Sequence, residues 1–200
     1  MDKTHSWGHI QEDYAVENPK LRKNLINLHL LFAGFLAPAF LLLAISGGLY
    51  LIGNKGKFDA QPMNLPAAAS LDFNSPTLET DVRNLLASAN IDHKFGYISK
   101  RGASKIHLRP TSRTYIEFNQ TPDGLTAFRV SPDFQGSMIE LHKGHGPKLF
   151  KTYQKLVAIG LLGVVFGGVF VGLLARAYRR KTLVALSVGT LLFFILAIFA

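Results

Sequence analysis

Thirty-one consecutive residues, 24–54, contain no Lys, Arg, Asp or Glu, and a single histidine, His29, stands near the start of that run. At about 1.5 Å per residue, the stretch Leu30–Ile52 is long enough to span roughly 30 Å of hydrocarbon. An ionisable group at the mouth of such a helix must reach water, find a partner or act as a ligand. His29 is therefore the leading functional residue of the sequence.

Two more apolar runs follow, Leu156–Ala175 and Thr182–Ala200, both free of charge and the first of them rich in glycine. The chain is 48% hydrophobic with 15 Phe, between a soluble domain and a pure membrane bundle, so both parts are expected. The reading is an α-helical integral membrane protein with three spans, 25–52, 156–175 and 182–200.

The net charge of +9 does not point to nucleic acid, because the cations cluster at the span ends. Lys20, Arg22 and Lys23 precede the first, Lys143 to Lys155 precede the second, and Arg176 to Lys181 separate the last two. Basic residues in those places meet phospholipid headgroups, so the lipid bilayer is the expected partner. With no cysteine, disulfides, thiolate catalysis and Cys-ligated metal centres are excluded. The first run follows a polar leader (1–24) and is too long for a signal-peptide core, so it reads as a retained helix.

The short basic turn 176–181 favours the cytoplasmic side. The expected topology is N-terminus cytoplasmic, residues 53–155 periplasmic and C-terminus outside.

Between the spans, residues 53–74 are rich in Pro, Ala, Asn and Gly without periodicity and read as a linker. Ser75-Pro76 offers an N-cap and a first-turn proline; Leu78, Val82, Leu85, Leu86 and Ala89 follow at helical spacing, and Asn90 is a stop. The period then becomes two. Phe95–Ser99 and Lys105–Arg109 form one hairpin, Thr114–Asn119 and Leu125–Val130 a second across Thr121-Pro122-Asp123-Gly124. Ile116 and Phe118 share one face, Tyr115 and Glu117 the other. One helix and four strands make a small α+β module (75–140), marginal alone, with no catalytic constellation legible in it.

This arrangement resembles the PepSY-associated transmembrane proteins of bacteria over roughly residues 20–180. The similarity lies in Leu21-Arg22-Lys23 with Leu28-His29, in Ala44-Ile45-Ser46-Gly47-Gly48, and most of all in Glu140-Leu141-His142-Lys143-Gly144-His145-Gly146. It implies an inner-membrane protein with a PepSY-like module. In larger, duplicated members, helix-start histidines ligate b-type haem and pass electrons across the membrane, some to ferric siderophores. This chain has one repeat and is similar to a smaller three-helix branch. Its third helix offers Thr182, Ser187 and Thr190 and no ligand.

Under the expected topology His29 and His142 lie near opposite faces and cannot grip one iron. No methionine lies in a span. A bis-histidine haem then requires a second copy across a twofold axis, or a histidine of another subunit; the same holds for His142 or His145. Gly163/Gly167 and Gly168/Gly172 are spaced for close helix packing, within the chain or between copies.

For each histidine the plainer reading stands beside the haem reading. His29 reads as an interfacial imidazole or an iron ligand. His142 and His145, in a basic lead-in (141–155), read as residues of a wet loop beside lysines or as ligands. The Lys143–Lys155 stretch reads as an amphipathic surface segment or as the first turns of the second helix with snorkelling lysines. His5 and His9 around Trp7 read as a polar tail or a metal site, and His93 and His107 as solvent-facing. Two functions follow. One is a homodimeric or partner-bound b-haem carrier delivering electrons to a ferric chelate or periplasmic redox protein. The other is a non-redox accessory subunit binding a partner through the module. Three helices without an intramembrane acid argue against a transporter.

Overall fold

The structure, a computed structural model, describes residues 19–199; the readings on His5, Trp7 and His9 lie outside them. In chain order the elements are α1 (Pro19–Leu51), β1 (Phe58–Met63), α2 (Leu78–Ser88), β2 (Tyr97–Lys100), β3 (Lys105–Arg109), β4 (Tyr115–Thr121), β5 (Gly124–Pro132), α3 (Phe134–His142), α4 (Lys148–Leu174) and α5 (Arg176–Phe199). Three of the helices, α1, α4 and α5, are long and apolar enough to cross a membrane. The chain divides into two compact units: Leu36–Ile159, and the described residues up to Phe35 together with those from Gly160 on.

In the second of these units α4 uses its glycines on both neighbours. Gly167 and Gly168 lie against the His29 ring of α1, and Gly172 against the Thr182 side chain of α5. The basic turn expected at 176–181 is instead the start of α5, and Ala175 alone separates the two helices. Arg, Lys, Ala and Tyr contain no helix stop, so nothing delays the new helix. Arg179 contributes the stop for its neighbour: its Nε donates to the Leu173 carbonyl at 2.8 Å, satisfying an end carbonyl of α4.

The unit Leu36–Ile159 is built on a five-stranded antiparallel sheet of order β1-β5-β4-β3-β2. The two hairpins form as the period-two pattern requires, with Gly102 and Gly124 at positive φ in their turns. Ile106, Leu108, Ile116, Phe118 and Ala127 face the core, where Leu78, Val82 and Leu86 of α2 cover them. Asn90, at φ 54°, ends α2 as the sequence suggests. That helix starts later than expected, at Leu78 after Thr77. The Ser75 and Thr77 hydroxyls bond each other and the Asp81 carboxylate, and Ser75 Oγ also accepts from the Thr77 amide at 3.1 Å just ahead of the helix.

Three expectations are corrected. The 53–74 linker contains β1, whose six residues pair with β5. Its side chains are mostly exposed, so it carries no alternation; the backbone ladder holds it, and an edge position tolerates Pro62. The helix expected over 156–175 begins earlier, at Lys148, so of the two readings of the lysine-rich stretch the one as first turns of that helix holds. Ahead of it, His142 closes α3, whose N-cap Asp133 accepts from the Gly136 amide at 2.6 Å. Finally, His107 is not solvent-facing. Its side chain is 15% exposed, 2.9 Å from Glu117 Oε2, with its ring 5.3 Å from that of Tyr115. The sheet thus has a second covered face, on which Tyr115, Val130 and Arg109 are also buried.

Candidate functional site

His142 is positioned by two helices. As the last residue of α3 it presents its Nδ1 to Ser46 Oγ of α1 at 2.8 Å, and its Cε1 lies within van der Waals reach of Gly47. Ser46 is fully buried and its hydroxyl donates to the Leu42 carbonyl at 2.5 Å, one turn back. A hydroxyl has one proton. With that proton committed to Leu42, Ser46 accepts from His142, so Nδ1 carries a hydrogen, and in the neutral ring Nε2 is then the nitrogen with the lone pair. A hydrogen bond on Nδ1 that fixes tautomer and orientation is the arrangement seen behind metal-bound imidazoles.

Two residues before His142, Glu140 closes a buried knot. Its Oε2 accepts from the Thr111 hydroxyl and from His145 Nδ1 at 2.8 Å, and Arg109 Nη1 lies 3.4 Å away. Arg109 is 2% exposed and also donates to Thr111 at 2.5 Å; Lys143 Nζ stands 3.6 Å from Oε1. The knot joins the end of β3, the residues after Pro110 and the α3–α4 connection, where the Thr111 amide donates to the His145 carbonyl at 3.1 Å. His145 is therefore a structural donor, with its Nδ1–H on a carboxylate.

Burial raises the Glu140 pKa, but the hydrogen bonds from Thr111 and His145 and the neighbouring cations outweigh it and hold the carboxyl below its ordinary value. Glu117 is likewise depressed, its Lys105 and Asn119 hydrogen bonds overcoming burial. Burial pushes His145 below 6.5 despite Glu140, and it lowers His107 and His93 in the same direction. For a depressed histidine the neutral form favours folding, so stability is full above pH 6.5 and falls as pH drops toward the folded pKa. The depressed carboxylates act with the same sign from about pH 4.5 downward. The thermal midpoint of the full-length protein in detergent is expected to hold from pH 7.5 to about 6.5 and to fall from there to pH 5. A midpoint that rises or stays level over that lower range would contradict this balance.

His29 lies in the other unit, half-buried on α1. Its Cε1–Nδ1 edge faces Gly167 and Gly168, where an added Cβ would come within 3.7 and 3.3 Å of the ring. Nδ1 is enclosed there without a hydrogen-bond partner among the described residues. Any side chain larger than glycine at 168 would crowd the ring. With Nδ1 shut in, Nε2 is the nitrogen left for a ligand.

Of the three candidate ligands the structure thus gives each a separate setting: glycine contacts for His29, Ser46 for His142, Glu140 for His145. Among the described residues no group of three or more His, Cys, Asp or Glu could hold a metal ion. Sequence reasoning missed Ser46, Arg109 and Thr111 as partners. A serine inside an apolar span and an arginine inside a period-two strand were the signals available. Comparison of the chain with models of protein families, with curated proteins and with solved structures finds no match.

Proposed function

We propose that this chain is a one-electron carrier of the bacterial inner membrane, of PepSY-associated type, in which His29 and His142 would each supply one imidazole to its own b-type haem. The observation that carries the reading is the buried Ser46, which engages His142 Nδ1 and leaves Nε2 as the nitrogen a ligand would use, on a ring that lines a cavity. His29 has no hydrogen bond among the described residues that sets its tautomer; its enclosed Nδ1 leaves Nε2 as the nitrogen outside the glycine contact.

The fit is one ligand per site. Among the described residues His145, the histidine nearest to His142 in the chain, is held by Glu140, and His29 has no second histidine in its unit, so each site is completed by the same residue of a second copy, as an isologous dimer permits. A b-type haem would supply reversible one-electron chemistry at its iron. The chain's part is to orient the imidazoles, with Ser46 setting one ring and the Gly167–Gly168 surface seating the other. His145 ranks below His142 because the Glu140 knot uses it. The N-terminus is cytoplasmic and residues 53–155 are periplasmic, as the basic stretch Arg176–Lys181 favours. The sheet module then meets the acceptor, a ferric chelate or a periplasmic redox protein.

The test is an absorbance spectrum of detergent-purified protein, oxidised and dithionite-reduced. A Soret band that shifts on reduction, with b-type visible bands weakened in His29→Ala and in His142→Ala, is expected. A preparation without a Soret band overturns the proposal.

A further inference from the structure

At the end of α1, two ammonium groups each stand within cation–π distance of one aromatic ring. Lys55 Nζ lies 5.3 Å and Lys143 Nζ 5.7 Å from the centroid of Tyr50. Lys143 has Glu140 at 3.6 Å, but that carboxylate already answers Thr111, His145 and Arg109. Among the described residues no carboxylate lies within ion-pair distance of Lys55. Beside the ring opens a cavity of about 320 Å³, lined by Gly47, Tyr50, Leu51 and Ile139 with His142 and Lys143. That is the small end of the roughly 300–1,000 Å³ usual for ligand pockets. Its walls are apolar apart from the Ser46–His142 pair, whose hydrogen bond is made internally, and Lys143.

Two cations, Lys55 with no carboxylate among the described residues and Lys143 sharing Glu140 with three other donors, next to an apolar recess match a ligand with an anionic head and a hydrocarbon body. The depth agrees: Tyr50 is the next-to-last residue of a membrane-length helix, where tyrosines sit at headgroup level. We propose that this recess binds an anionic phospholipid, its phosphate between Lys55 and Lys143 and its acyl chain against Gly47, Leu51 and Ile139. The site does not rest on the haem reading; because His142 lines the same recess, the lipid and a haem held by His142 are competing occupants, and binding is read on haem-free protein.

Native mass spectrometry of the full-length protein in nonionic detergent tests it, with phosphatidylglycerol and phosphatidylcholine of identical acyl chains as probes. A lysine at an anionic lipid surface is worth about fivefold in affinity, so Lys55→Gln/Lys143→Gln should weaken phosphatidylglycerol binding roughly 25-fold. Lys55→Arg/Lys143→Arg should keep it, which separates lost charge from lost folding, and Lys57→Gln should leave it unchanged. Phosphatidylcholine should bind weakly to all of them. Equal binding of the two lipids, unaltered binding by the double Gln variant, or full displacement by millimolar inorganic phosphate would each overturn the proposal.

Discussion

Glu140→Leu is expected to destabilise the sheet-bearing unit by about 3–5 kcal/mol, because it strands a buried cation. Arg109 is 2% exposed, and Glu140 is the carboxylate it faces at 3.4 Å. Removing that carboxylate also orphans the Thr111 hydroxyl and the His145 Nδ1–H, two donors in a low-dielectric setting. The loss should appear as a lower thermal midpoint and earlier proteolysis of the full-length protein in detergent. The double variant Arg109→Met/Glu140→Leu should recover most of it, since a well-packed apolar pair replaces a buried ion pair at little cost. A Glu140→Leu protein as stable as its parent would mean that Arg109 is solvated.

Phe118→Ala is expected to cost about as much, 3–5 kcal/mol, by a different route. Phe118 is fully buried in β4, pairs across the ladder with Ala127 and Ile106, and helps fill the core under α2. Truncation leaves a ring-sized void between a sheet and one helix, and neither can collapse far without breaking the ladder. Against a typical domain stability of roughly 5–15 kcal/mol, that loss would unfold part of the population at 37 °C. Phe134→Ala is the control: that ring is 78% exposed, so the change should stay within about 0.5 kcal/mol. Equal effects of the two substitutions would mean that the core is wrongly placed.

Much of this was legible in the sequence where periodicity is strong. The three apolar runs are helices, and Ile116 and Phe118 face the core as their alternation implies. β1 escaped because an edge strand with both faces exposed has no hydrophobic period to read. α3 escaped because Gly136 and Ser137 weaken its helical pattern. Gly136 is there because an added Cβ would meet Phe58 and the Lys57 carbonyl, a long-range packing demand invisible in a local window.

The candidate site divides in the same way. His29 and His142 stand out by position, one at the mouth of an uncharged run and one in a histidine-rich approach to the second span. Their chemistry depends on Ser46, 96 residues from His142, and on Gly167 and Gly168. The Glu140–His145 stretch, which reads as a ligand motif, turns out to be half structural: Glu140 and His145 close the knot, and His142 between them is turned toward α1.

The claim beneath the proposed function is that each chain brings one usable imidazole to each of two sites. Haem content per chain measures it directly, by pyridine haemochromogen on protein quantified by amino-acid analysis. The account predicts one haem per chain in the parent dimer, half that in His29→Ala and in His142→Ala, and none in the double variant. A ratio unmoved by either single substitution, or no haem in the parent, would contradict it.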